Sequence, residues 1–206
     1  MAIATHEPDV TASEFDALDD VLWQTWNAMT VPEGLRAEII EGSIEVSPTG
    51  SRRRGKIANR LRDALRDHLA PGDAFSAYQD INVVRGRKVY IPDVAVAPED
   101  LDEVPDPDGL GVDAAGVVLV AEVVSPGREA GVRDRERKRR AYAQAGIAVY
   151  VIVDDFDGDG VVTVLSEPDP GKGAYAVEVR VAYGTPVKIP AGPARGFVVG
   201  AEITGR

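Results

Sequence analysis

The 206-residue chain contains no cysteine. That removes disulfides, thiolate nucleophiles and cysteine-ligated zinc from consideration. Histidine is almost as scarce, with only His6 and His68, too few for a histidine zinc site. Any metal would have to be a hard cation held by oxygen ligands. No run approaches the roughly 18 apolar residues of a membrane span. The opening residues, MAIATHEPDV, lack the basic start and apolar run of a secretory signal, so a cytoplasmic protein is expected. Hydrophobic residues at 44% and charged residues at 28% are those of a globular chain, and the length suits a single core.

Positive charge is also in short supply: 23 Lys and Arg against 34 Asp and Glu leave a net charge of −11. Taken alone, that argues against a nucleic-acid partner. Its distribution argues the other way. Residues 1–50 hold ten acidic side chains and one basic one, Arg36, and residues 93–113 hold eight acidic and no basic ones. By contrast, 14 of the 23 cations lie in two short stretches, 52–66 and 128–140. Phosphate binding answers to local potential more than to the total. Arg53, Arg54, Lys56, Arg60, Arg133 and Arg137 are therefore candidate nucleic-acid contacts, with solvated helix faces as the alternative.

Periodicity divides the chain into an N-terminal helical extension (1–34), a core (35–154) and an antiparallel β extension (155–206) of one domain. Residues 13–29 read as an amphipathic helix capped by Ser13, with Leu18, Leu22, Trp26 and Met29 at helical spacing. Its two tryptophans are packing residues or an interface. A hairpin follows, turning at Glu41-Gly42. Arg54 to Leu69 is helical, with Ile57, Leu61, Leu65 and Leu69 four apart and Pro71-Gly72 as its stop. Strands are expected over 77–84 and 89–96, then an acidic loop over 98–113. Residues 116–124, GVVLVAEVV, read as a strand covered on both faces. A helix over 131–145 and a second buried strand over 148–153 make a crossover into parallel pairing. The class is α/β with a mixed central sheet flanked by helices.

Two carboxylates interrupt these apolar runs: Asp93 in YIPDVAVA and Glu122 in VVLVAEVV. An uncompensated buried carboxylate costs several kcal/mol, so each needs a partner or a cation. Carboxylates on neighbouring strands can share Mg²⁺ or Mn²⁺, which suits phosphate chemistry; pairing with buried arginines is the alternative. In the helix after Glu122, Asp134, Lys138 and Tyr142 fall at i, i+4 and i+8 on one face. A short Ser125-Pro126-Gly127 loop lets Lys138 point back over the strand end, where a cation stabilises charge building on phosphorus. Asp155, Asp157 and Asp159 imitate the start of a calcium loop, but Ser166 stands at the twelfth position, where such a loop carries Glu.

The order Glu38-Ile39-Ile40-Glu41-Gly42, Ile91-Pro92-Asp93-Val94, Ala121-Glu122-Val123-Val124-Ser125-Pro126, then Asp134, Lys138, Tyr142, Ala145-Gly146 and Asp154 resembles the Uma-two family of endonucleases. That family is a branch of the PD-(D/E)xK superfamily. The resemblance runs from about Arg36 to Asp154. It implies a restriction-endonuclease-like fold and Mg²⁺-dependent cleavage of nucleic acid. It also implies Asp93 and Glu122 as metal ligands, Lys138 as the catalytic lysine, Glu38 as a further acid, and Asp134 and Tyr142 as supporting residues. Two departures stand out: Val124 occupies the usual lysine place two after the Glu, and Arg54 stands where a family histidine often opens the first core helix.

The leading expectation is thus a metal-dependent endonuclease acting on nucleic acid, DNA before RNA, with a homodimer suggested by analogy. A non-cleaving nucleic-acid-binding or regulatory protein on the same fold is the alternative. A protein-interaction domain using the acidic 98–113 loop is the third.

Overall fold

The computed structural model describes residues 12–69 and 74–206. The expected Ser13 cap and Pro71-Gly72 stop lie outside the described side chains and residues. Helix α1 (Ala12–Ala28) turns its tryptophans inward. Trp23 packs with Ile39, Val84 and Val89, and the Trp26 indole N–H donates to the Ala37 carbonyl at 2.8 Å. Leu18 and Val21 remain exposed on the outer side.

Strands β1 (Leu35–Ile40) and β2 (Ser43–Pro48) pair antiparallel around Glu41-Gly42. Both turn residues have positive φ, the geometry a two-residue hairpin requires and glycine eases. Helix α2 (Arg52–Leu69) buries Ile57, Leu61, Leu65 and Leu69 as its spacing predicts.

The next two expected strands are in fact four. The chain forms β3 (Phe75–Tyr78), β4 (Val83–Arg85), β5 (Lys88–Tyr90) and β6 (Val94–Pro98). The hairpin β4–β5 belongs to a five-stranded sheet with order β2-β1-β5-β4-β7, where β7 is Val112–Asp113. Strands β3 and β6 belong to a six-stranded sheet with order β11-β10-β9-β8-β6-β3. Its other members are β8 (Leu119–Val123), β9 (Val149–Asp154), β10 (Val161–Asp169) and β11 (Ala174–Ala182). The chain changes sheet at 79–82, where Asp80 takes a positive φ, and again at 91–93. Gln79-Asp80 and Asn82 mark the first break and Pro92-Asp93 the second, interruptions that reading 77–84 and 89–96 as unbroken strands passed over.

Within the six-stranded sheet only β8 and β9 are parallel, as a strand–helix–strand crossover demands. The connecting helical segment starts earlier than expected. It comprises α3 (Arg128–Val132), a π-helical turn (Arg133–Arg137) and α4 (Lys138–Gln144). The last residues do not simply extend the sheet. Strands β12 (Val187–Lys188) and β13 (Val198–Val199) form a separate pair, and α5 (Ala201–Thr204) follows. Val187, Ile189, Phe197, Val199 and Ile203 bury against the α2 side of the main sheet, because that face needs an apolar cover that α2 alone does not supply. The opposite face carries Ala95, Ala97, Val120 and Val124 beneath Ala141, Tyr142 and Ala143. Among the described residues no helix is long and apolar enough to cross a membrane.

Candidate active site

Strands β6 and β8 run antiparallel with Val94 opposite Ala121. Continuing that register by one residue sets Asp93 opposite Glu122. Strand alternation puts both on the face shared with Ala95 and Val120, the one beneath α4. Glu38 arrives from β1 in the other sheet, and Lys138 from the first turn of α4. Four of the expected residues therefore meet where the two sheets and the crossover helix come together.

The cluster is deeply buried: Glu38, Glu122, Asp134 and Lys138 are 0% exposed and Asp93 is 9% exposed. Lys138 Nζ lies 2.7 Å from Glu122 Oε1 and 2.8 Å from Glu38 Oε1. The Tyr142 hydroxyl donates to Glu122 Oε1 at 2.8 Å, and the Ile91 amide to Glu38 Oε1 at 2.7 Å. Each glutamate thus has one oxygen held twice, while Glu38 Oε2 and Glu122 Oε2 are buried without a hydrogen-bond partner. Burial pulls the Lys138 ammonium down, but Glu122, Glu38 and Asp134 outweigh it and raise the group above its usual value. Lys138 stays charged. Burial, then Glu122, push the Tyr142 phenol well above its usual range, which keeps it a neutral donor.

Asp93 is held differently. Arg54 Nε donates to Oδ2 at 2.8 Å, and Arg54 Nη2 lies 2.7 Å from Oδ1. The Val123 amide donates to Oδ2 at 2.8 Å, and Arg36 Nη2 stands 3.5 Å from Oδ1. Arg54 Nη2 also faces Glu122 Oε2 at 3.6 Å, while Nη1 donates to Ser125 Oγ at 3.2 Å. Burial and then Glu122 raise the Asp93 carboxyl above its usual value, outweighing Arg36, the Val123 amide and Lys138.

The π turn shapes the rim. Arg133 Nε donates to Asp134 Oδ1 at 2.8 Å, and the Asp134 carbonyl accepts from the Tyr150 hydroxyl at 2.7 Å. Such widened turns recur at functional sites. Asp134, Lys138 and Tyr142 all face inward, as the spacing predicts, although the helix between them is not regular.

Among the expected phosphate contacts the outcome is mixed. Arg54 is buried at 3% exposure, committed to Asp93. Arg133 is buried beside Asp134. Arg53 Nη2 donates to Asp155 Oδ1 at 2.7 Å and to the Thr204 carbonyl at 3.2 Å. Arg137 ties the helix to the hairpin through the Ile40 carbonyl at 2.7 Å, Ser43 Oγ at 2.9 Å and Glu41. Lys56 is exposed and Arg60 part-exposed; neither forms a salt bridge among the described residues. The sequence reading missed Arg36, Arg54 and Ser125 as parts of the cluster. Arg36 did carry a signal: it is the one cation of the first fifty residues and sits two before Glu38 on the same strand face.

Two sheets with flanking helices and acids converging from both define the restriction-endonuclease-like class. A crystal structure described as "a putative nuclease belonging to DUF820", from Anabaena variabilis, shares this fold with a TM-score of 0.68 at 14% identity. The match covers 89% of this chain and 97% of that one. The family model described as "Putative restriction endonuclease", Uma2, matches residues 23–189. The chain belongs to the Uma2 family and so stands among the nucleases. No curated protein matches it.

Proposed function

We propose that the chain is a divalent-metal-dependent endonuclease that hydrolyses phosphodiesters of DNA. The observation that carries this reading is the convergence of Glu38, Asp93, Glu122 and Lys138 from two sheets and a helix into one buried cluster. The donor set fits Mg²⁺ or Mn²⁺. It is all oxygen, and Glu122 Oε2 is buried without a hydrogen-bond partner beside Asp93. Among the described residues no three such side chains form a ready cage. A cation held by Asp93 and Glu122 would complete its shell with water, the usual Mg²⁺ pattern. When bound, the ion supplies Lewis-acid polarisation of the phosphoryl oxygen and a more acidic water.

The chain's own residues supply the rest. Lys138 and Tyr142 fix Glu122 by Oε1 and leave Oε2 free to ligate. Lys138 acts through Glu122 and Glu38, and its charge offsets theirs. Water adds to phosphorus, the ester P–O bond breaks, and the proton lost by water ends on the leaving oxygen. The exposed cations Arg52, Lys56 and Arg128 lie on α2, whose Arg54 touches Ser125, and at the start of α3, and would receive flanking phosphates. A homodimer through the outer face of α1, where Leu18 and Val21 are exposed, extends this reading by analogy with nucleases that cut both strands.

The test is nicking of supercoiled plasmid with Mg²⁺ or Mn²⁺. Wild-type protein should cut, and Asp93→Asn should not. Equal nicking by both would sink the assignment. The second reading, a non-cleaving nucleic-acid-binding protein, is favoured by one observation: Arg54 already occupies both oxygens of Asp93. It predicts salt-sensitive DNA binding with no cleavage under any metal.

A further inference from the structure

With every group ionised, charge in the cluster balances without any added ion. Glu38, Asp93 and Glu122 face Lys138, Arg54 and Arg36, and Asp134 has Arg133. A divalent cation joining this set would leave two positive charges buried and unmatched, which a low-dielectric site resists. Loss of one cation removes half of that excess, and an entering anion removes the rest.

The geometry singles out the cation that leaves. Lys138 is enclosed by both glutamates on the inner side, and Arg36 reaches Asp93 alone, at 3.5 Å. Arg54 spans the gap from Asp93 to Glu122 Oε2, the two groups that would hold the ion. The Arg54 contacts are also incomplete. Its Nη2 is close to Asp93 Oδ1, yet it is buried without an aligned hydrogen bond, and Glu122 Oε2 is unpartnered too. The guanidinium therefore holds Asp93 but leaves Glu122 Oε2 unsatisfied. Its third nitrogen points to Ser125, in a loop whose Pro126 and Gly127 are exposed, so a route towards the surface lies beside it.

We infer that Arg54 is a resident cation that competes with the divalent metal for Asp93 and Glu122, and that metal enters by exchange with its guanidinium. This rests on the metal-site reading above and concerns only how the ion gains access. Replacing the guanidinium by an uncharged chain of similar reach removes the competitor and leaves the ligands in place.

The experiment is Mn²⁺ titration by calorimetry on the full chain, with no nucleic acid present. Arg54→Met should bind Mn²⁺ at least about tenfold more tightly than wild type, the scale of losing one charge-assisted pair from the competition. Adding Asp93→Asn to Arg54→Met should abolish that binding. Because Arg54→Met also leaves carboxylates unpaired, its melting temperature is followed in parallel. It should fall relative to wild type and recover with Mn²⁺ but not with KCl at equal ionic strength. Arg54→Lys, which keeps the charge without the fork, should fall between wild type and Arg54→Met in affinity. The inference is overturned if Arg54→Met binds Mn²⁺ no more tightly than wild type, or if Asp93→Asn leaves its affinity unchanged. Exchange as described in a protein that cuts no DNA supports the inference and refutes the cleavage reading, so the two fail separately.

Discussion

Lys138 is the residue on which the inner cluster turns. It is fully buried and touches a carboxylate from each sheet. Removing one member of a buried ion pair costs about 3–5 kcal/mol, because the partner is left charged and dry. Lys138→Met should therefore destabilise the fold by that order in urea unfolding. Adding Glu122→Gln should recover part of the loss, since the two residues are coupled. A single-variant loss below about 1 kcal/mol would contradict the burial argument. Much of this residue-level picture was legible beforehand. Asp93 and Glu122 announce themselves as charges inside apolar runs, and Lys138 and Tyr142 follow from helical spacing. Glu38 was reached only through resemblance, because a Glu near a hairpin turn has no distinguishing pattern. Arg54 was misread for a physical reason. An arginine within the run Arg52-Arg53-Arg54 looks like surface charge until the fold brings Asp93 against it.

At the scale of elements, two struts hold the pieces of the site in relation. Arg137 hooks the helical segment onto the hairpin by the Ile40 carbonyl and Ser43. Arg137→Ala should lower stability by about 1–2 kcal/mol, a few half-buried hydrogen bonds' worth, and should slow cleavage because Lys138 is the next residue. Equal activity with lowered stability would confine Arg137 to the scaffold. The second strut joins the start of α2 to Asp155 through Arg53. Burial pushes the Asp155 carboxyl up, but hydrogen bonding and charge from Arg53 pull it further, below its usual value. The folded-state value is thus depressed. The stability it contributes is complete above the unfolded value near about 3.9 and is lost as pH falls through the folded one. Asp155→Asn should melt below wild type at neutral pH, and the two curves should converge as the pH is lowered towards about 2. A gap that persists in acid would show that the strut is not electrostatic. Element types were legible from periodicity, but their membership was not. Strand alternation reports which residues alternate, and it is silent on which of two sheets accepts them.

For the whole molecule the question is how a chain of net charge −11 approaches a polyanion. Many of its arginines are spent internally. Of the cations that form no salt bridge among the described residues, Arg52, Lys56, Arg60 and Arg128 lie on α2 and at the start of α3, while Arg85, Lys188 and Arg195 lie elsewhere. Binding should then be weak and strongly salt-dependent. Neutralising Lys56 or Arg60 should each flatten the slope of log K against log salt by roughly one unit. An unchanged slope would place the DNA elsewhere. Chelation of divalent ions by EDTA should abolish nicking and leave this salt-dependent binding measurable.

The π turn at Arg133–Arg137 has a consequence for how the site tolerates length changes. A π turn amounts to one extra residue accommodated between two ordinary helical halves. The turn itself presents Arg133 and Asp134 at the rim, and the half after it presents Lys138 and Tyr142 at the floor. Glu136 within it is exposed. Loss of that single residue would let the turn tighten to ordinary pitch while both halves stay docked. Arg133 and Asp134, inside the turn, would then shift relative to Lys138 and Tyr142 beyond it. A one-codon deletion is thus a fine adjustment of this buried cluster, where in most buried helices it would be a fracture.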